Sequence, residues 1–132
     1  MKKSFKKIGI SGPIKNKKDE SFIRGVVDCL FKQGVEILSE KSLMENSDYL
    51  NQFSVDDTEF IKRIDLLISV GGDGTMLRNA RKFGKNKIPI LGINLGTLGF
   101  LTDIQTDDPL SRLEEVVNGR YLLDERPFLE AK

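Results

Sequence analysis

Asp65-Leu66-Leu67-Ile68-Ser69-Val70-Gly71-Gly72-Asp73-Gly74-Thr75 decides the fold: an apolar, β-branched run passes directly into a glycine turn, and the segment behind the turn reads as a helix. Glycines on both sides of Asp73 let the backbone take φ > 0 and let a ligand approach the main chain without meeting a Cβ. The free amides at the start of the following helix favour an anion there. A carboxylate inside a phosphate-sized turn repels that anion unless it has work to do, such as accepting a proton from an attacking hydroxyl or holding a magnesium ion. The tension points to phosphoryl transfer. The plainer alternative is that Asp73 is a helix cap, bonding the first amides of an ordinary strand-to-helix turn.

Two better-known phosphate motifs are excluded. A Walker loop ends in Gly-Lys-Ser/Thr, which the chain lacks. A dinucleotide fingerprint beginning at Gly72 needs a third glycine where Leu77 stands, and an acidic residue near the end of the next strand, which closes on Asn94. Hydride transfer is therefore disfavoured.

With 132 residues, 39% hydrophobic and 31% charged, the chain suits one domain with a single modest core. A net charge of +1 gives no global field for nucleic acid or membrane, so neither is expected as a partner. Basic residues cluster instead in Lys2-Lys3-Ser4-Phe5-Lys6-Lys7 and Lys15-Asn16-Lys17-Lys18. The apolar stretch after the first cluster, broken by Gly12-Pro13, is too short for a signal peptide, and a cytoplasmic protein is expected. Cys29 is the single cysteine, which excludes an internal disulfide and a cysteine-based zinc site; its spacing from Phe22 predicts a buried thiol. There is no histidine, so a general base must be a carboxylate, lysine, tyrosine or that thiol, and weight falls on Asp73.

Working outward, Phe5 to Ile10 reads as a strand, and Asp19 to Gln33 as a helix with Phe22, Ile23, Val26, Val27, Leu30 and Phe31 on one apolar face, stopped by Gly34. Val35 to Leu38 is a second strand, and the polar stretch from Ser39 to Asp56 carries no clear assignment. A short helix from Asp57 to Arg63 leads into the strand Asp65 to Val70. The helix Thr75 to Phe83 should carry Met76, Leu77 and Ala80 inward. Ile88 to Ile93 is a further strand, and Asp107-Asp108-Pro109 opens a helix closed by Asn118-Gly119. This alternation predicts an α/β fold: a Rossmann-like parallel sheet with helices on both faces and all strand-to-helix turns on one edge. Lys15, Lys17 and Lys18 would then lie at that edge, within reach of a triphosphate or simply solvated.

A second glycine-rich loop, Asn94-Leu95-Gly96-Thr97-Leu98-Gly99-Phe100-Leu101, follows the last of these strands. It offers backbone amides and an aromatic face for a base, or a tight turn that buries Phe100. Taken together, Gly71-Gly72-Asp73-Gly74-Thr75 and Gly92-Ile93-Asn94 through Leu101 resemble the NAD kinases, and the likeness runs from the first strand to the end of the chain. The first motif is shared with diacylglycerol, sphingosine and 6-phosphofructokinase relatives; the second favours the NAD branch.

The resemblance implies transfer of the γ-phosphoryl group of ATP, or of polyphosphate in some members, to the adenosine 2′-hydroxyl of NAD. It makes Asp73 the proton acceptor and, with Gly74, part of the NAD site. Arg78 matches a basic position that contacts the dinucleotide, Leu77 and Phe100 match apolar positions beside its adenosine, and Gly71, Gly72 and Thr75 shape the phosphate region. Magnesium is implied, held largely by phosphate oxygens, as is a homo-oligomer of the full-length enzyme. Members of the family carry a β-rich domain after the matched region. Residues 1–119 are thus expected to form the nucleotide-binding domain and 120–132 to open a domain that is absent. The 132-residue chain alone is then expected to show little or no kinase activity, and its last segment to lie loosely or pair with another chain. A lipid kinase catalytic domain and a nucleotide-binding module without catalysis are the alternatives.

Overall fold

A computed structural model describes residues 5–12, 17–40, 48–71, 73–94, 113, 117–118, 121–123 and 129–131. Its elements are β1 (Lys7–Ser11), α1 (Lys17–Lys32), β2 (Glu36–Glu40), α2 (Asp48–Asn51), β3 (Ser54–Val55), α3 (Asp57–Arg63), β4 (Leu66–Gly71), α4 (Asp73–Phe83), a 3₁₀ turn (Gly84–Asn86), β5 (Ile90–Asn94), β6 (Tyr121–Leu123) and β7 (Leu129–Ala131). The first five strands form one sheet in the order β3-β2-β1-β4-β5, and every pairing in it is parallel. The strand order reverses at β1, whose neighbours are β2 on one side and β4 on the other. A crevice at the carboxyl ends of β1 and β4 is the expected ligand position in such a sheet.

Alternation along the strands assigns each side chain to a layer. Ile8, Ile10, Ile37, Leu66, Ile68, Val70, Leu91 and Ile93 pack with Ile23, Val26, Val27 and Leu30 of α1. Leu38, Leu67 and Ile90 point the other way, onto Phe60 of α3 and Met76 and Phe83 of α4. Both faces of the sheet are covered, as the nearly continuous apolar strands require. Gly9 makes room on the second face: a Cβ there would stand 2.6 Å from Phe60 Cζ, so the Phe60 ring occupies the space over β1.

Local sequence explains the helices. Asp19 and Glu20 lie in the first turn of α1 and Lys32 in the last, opposite in sign to the helix dipole, and Gly34 ends it at φ 75°. In α3 the Asp56 carboxylate accepts a hydrogen bond from Glu59 N at 2.9 Å, capping the helix.

Several expectations need correction. Leu77 does not point inward; it is 45% exposed, while Met76, Asn79 and Phe83 are buried. At 100° per residue Leu77 lies round the helix from Met76, outside the stripe that faces the sheet. Phe31 is likewise exposed, one residue beyond Leu30, and its ring meets Phe53 at 5.8 Å between centroids. Cys29 is half-buried at the margin of the core. The stretch without an assignment holds α2 and the short edge strand β3, with Leu50 buried and Ser39 Oγ donating to Leu50 O at 2.9 Å.

The helix expected from Asp107 to Asn118 lies mostly outside the described residues. Leu113 and Val117, four apart, are helical and buried on the α1 face, and Phe5 N donates to Val117 O at 3.2 Å. β6 and β7 pair with each other antiparallel, Leu122 opposite Glu130. The expectation that this last segment lies loosely or pairs with another chain is thus corrected, since its two β-prone runs pair with each other.

Candidate functional site

The strand-to-helix turn after β4 stands at the carboxyl edge of the sheet. Gly71 takes φ 148°, and a Cβ there would lie 2.8 Å from Thr75 Oγ1, so glycine is required at the point where the chain leaves the strand. Asp73 is the first residue of α4, two residues earlier than the periodicity suggested. A backbone start there points the free amides of the first turn toward the edge. Gly74 follows with no atom within 4 Å of where its Cβ would be, which leaves open space beside the turn. Gly72 and the side chain of Asp73 lie outside the described residues.

The second glycine loop leaves the sheet beside the first: Gly71 of β4 is the register partner of Asn94 of β5. Residues 95–100, Phe100 among them, lie outside the described residues. On the other side of β4, Gly12 follows β1 so closely that a Cβ on it would fall 1.9 Å from Val70 O. The ends of β1 and β4 therefore touch backbone to backbone at the crevice. Lys17 and Lys18 are exposed at the start of α1, and Lys15 lies outside the described residues.

A polar cluster that sequence reasoning did not single out fills the layer between these strand ends and α4. Ser11 and Glu40, the last residues of β1 and β2, and Ser69, two residues before the end of β4, are all buried. Glu40 Oε1 accepts a hydrogen bond from Lys82 Nζ at 2.6 Å. Glu40 Oε2 accepts from the Ser11 hydroxyl and from Arg78 Nη2 at 3.3 Å. Arg78 Nη2 also donates to Ser11 Oγ at 3.3 Å. The Ser11 hydroxyl stands 3.2 Å from Asn79 Oδ1, and its single proton serves the carboxylate, the stronger acceptor. Asn79 Nδ2 donates to Ser69 Oγ at 2.8 Å, and Asp57 Oδ2 stands 3.5 Å from Lys82 Nζ.

Burial alone would push the Glu40 carboxyl up. The hydrogen bonds from Lys82 and Ser11 and the charges of Arg78 and Lys82 outweigh it and hold Glu40 below the ordinary carboxyl value. Glu40 is thus a buried anion with two cations, of which Lys82 is the better seated. Arg78 keeps half of its side chain exposed.

Of the residues expected at the site, the structure brings Gly71, Gly74, Thr75 and Arg78 to one edge, with exposed Leu77 on the same turn of helix. The signal for the polar cluster was available but weak: Ser11 and Ser69 interrupt apolar strands at inward positions, and Asn79 falls on the buried stripe of α4 with Met76 and Phe83. Among the described residues no group of three carboxylate or thiol side chains has metal-site geometry, and no helix is long and apolar enough to cross a membrane.

A doubly wound parallel sheet with a glycine turn beside its reversal point defines the Rossmann-like α/β class, in which ligands bind at the carboxyl ends of the strands. Residues 8–121 match the model of the ATP-NAD kinase N-terminal domain, and the chain belongs to that family. Similar proteins include the NAD kinases of Aromatoleum aromaticum, 34% identical over the whole chain and 44% of that protein, of Teredinibacter turnerae, 38% identical over 97% of the chain and 44% of that protein, and of Salmonella enteritidis PT4, 36% identical over the whole chain and 45% of that protein. The chain thus spans a little under half the length of the curated relatives it matches. Among solved structures, an NAD kinase from Archaeoglobus fulgidus in complex with ATP shares the fold with TM-score 0.55 and 24% identity, over 85% of this chain and 36% of that one.

Proposed function

We propose that this chain is the nucleotide-binding portion of an NAD kinase, which transfers the γ-phosphoryl group of ATP to the adenosine 2′-hydroxyl of NAD. The observation that carries the reading is the register pairing of Gly71 with Asn94, from which both glycine loops start at neighbouring strand ends in a chain of this family. Asp73 takes the proton of the attacking hydroxyl, and Gly74 lets the dinucleotide come close to the backbone. Arg78 meets a phosphate, and Leu77 and Phe100 cover the adenosine. Gly71, Gly72 and Thr75 shape the phosphate turn. A carboxylate is a weak base toward a sugar hydroxyl, so holding acceptor and donor in line supplies most of the acceleration.

Magnesium finds no cage in the described residues, since the buried carboxylate at this edge, Glu40, is already paired with Lys82 and Arg78. In this reading the divalent cation arrives on the phosphate oxygens of ATP. Residues 1–119 form the nucleotide half and 120–132 open a second, β-rich unit. A cytoplasmic homo-oligomer belongs to the same proposal and rests on the family.

The test joins this chain to the remaining portion of a curated relative and supplies ATP and magnesium with NAD or with diacylglycerol, the chain alone being assayed in parallel. NADP formation supports the reading. Phosphorylation of diacylglycerol instead makes the site that of a lipid kinase, and nucleotide binding without turnover by a folded chimera leaves a binding module.

A further inference from the structure

We infer that Glu40 is a positioning residue: with Lys82 as its resident counter-ion, it holds the Arg78 guanidinium by one nitrogen at the carboxyl ends of β1 and β2, so that the Nη1 hydrogens left free meet a nucleotide phosphate. The inference rests on the proposed function, because it takes Arg78 as the phosphate contact. It adds the device that aims it.

Three observations carry it. Both contacts of Arg78 with the cluster, to Glu40 Oε2 and to Ser11 Oγ, fall on Nη2 at 3.3 Å. Among the described residues nothing bonds Nη1 or Nε, and half of the side chain is exposed. A guanidinium offers five donors in a rigid plane, so two acceptors on one nitrogen fix that plane and leave the hydrogens of Nη1 to donate to an oxyanion. Glu40 is 1% exposed, and its other oxygen is taken by Lys82 at 2.6 Å. Removing Arg78 toward a ligand therefore leaves Glu40 paired, and no uncompensated buried charge opposes the movement. Finally, the cluster joins β1, β2, β4 and α4 at the place where the strand order reverses, so the anchor of Arg78 is fixed to the same strand ends that form the crevice.

A salt bridge whose only task was stability would not need this arrangement. Lys82 alone satisfies the charge of Glu40, yet a second, half-exposed cation is added. Electrostatically the cluster is a fixed anion that tethers one half-exposed cation and is neutralised by another.

The test uses the 132-residue chain and two probes in separate arms, ATP with magnesium and NAD, since the phosphate could belong to either. Affinity is measured for the wild type, Arg78→Ala, Glu40→Gln and the double variant, with ¹⁵N–¹H spectra of the arginine guanidinium groups. The expected result is a resolved, slowly exchanging Arg78 signal in the wild type that is averaged in Glu40→Gln while the backbone spectrum is kept. Each single variant should bind one of the probes about tenfold more weakly, with the double no weaker than Arg78→Ala. Should Glu40→Gln not fold, Ser11→Ala removes the second Nη2 acceptor at little loss of volume and should weaken binding by about threefold with the same averaging of the signal. Additive losses, or a loss in Arg78→Ala with none in Glu40→Gln or Ser11→Ala, overturn the inference. If Arg78→Ala binds both probes normally, or the wild type binds neither, the reading of Arg78 as a phosphate contact fails and the inference falls with it; the guanidinium spectra still show whether Glu40 holds Arg78.

Discussion

Gly71 and Asn94 are register partners at the ends of β4 and β5. Two loops far apart along the chain therefore begin next to each other. Parallel strands enforce this, because each pair must end on the same edge.

Asp73→Asn keeps the size of the side chain and much of its hydrogen bonding but removes its basicity. In the chimera, NADP formation at saturating ATP and NAD should fall about a hundredfold or more, with the folding transition unchanged. Near-normal turnover would return Asp73 to the role of a helix cap.

Two glycines at this edge should respond in opposite ways to alanine. Gly12→Ala drives a Cβ to 1.9 Å from Val70 O, a backbone atom that cannot step aside, at φ 145°; unfolding by denaturant should show a loss of about 2 kcal/mol or more. Gly74→Ala meets no atom within 4 Å and sits in a helix, so stability should hold or rise by up to about 1 kcal/mol. Weaker nucleotide binding by a Gly74→Ala chain that folds normally would place the ligand against that turn. Unchanged binding would remove Gly74 from the site.

Phe60 is fully buried, lies over Gly9 and packs on Phe83 with centroids 5.6 Å apart. Phe60→Ala should cost about 3–5 kcal/mol. By contrast, the exposed pair of Arg63 and Glu36, 2.8 Å apart, should contribute no more than about 1 kcal/mol by double-mutant cycle. Comparable costs for the two would contradict the layer assignment.

Acid should weaken the fold through Glu40. Lys82 and Arg78 of α4 and Ser11 of β1 face its carboxylate, with Asp57 of α3 behind Lys82. Its folded value lies below the ordinary 4.5, so the unfolded chain takes up the proton first. The stabilisation is complete above the ordinary value and is lost as pH falls through the lowered one. Denaturation midpoints followed down into acid should drop less steeply in Glu40→Gln than in the wild type. Equal slopes would show that Glu40 does not ionise differently in the two states.

What could be read in advance was local or periodic. The passage from Ser69-Val70 into Gly71-Gly72-Asp73-Gly74 marked a strand-to-helix turn because glycine alone suits its backbone, and the helix from Asp57 to Arg63 was bounded by the apolar strand behind it. The likeness to a family rested on the same two glycine loops. Other features depended on contacts between distant residues. Glu40 read as the start of a polar stretch, since a charged residue after a strand is ordinarily solvated; only Lys82, forty-two positions on, makes its burial tolerable. Leu77 read as core because it is apolar, whereas the sheet covers a stripe of α4 that runs through Met76, Asn79 and Phe83. The sequence by itself determined β1, β2, β4, β5 and the helices α1, α3 and α4, the glycine turn and the family, because each is written in neighbouring residues or in a helical or strand period. The tertiary structure alone decided which polar groups meet behind the crevice and which apolar side chain stays outside, because burial and pairing are properties of the packed layers and not of any one segment.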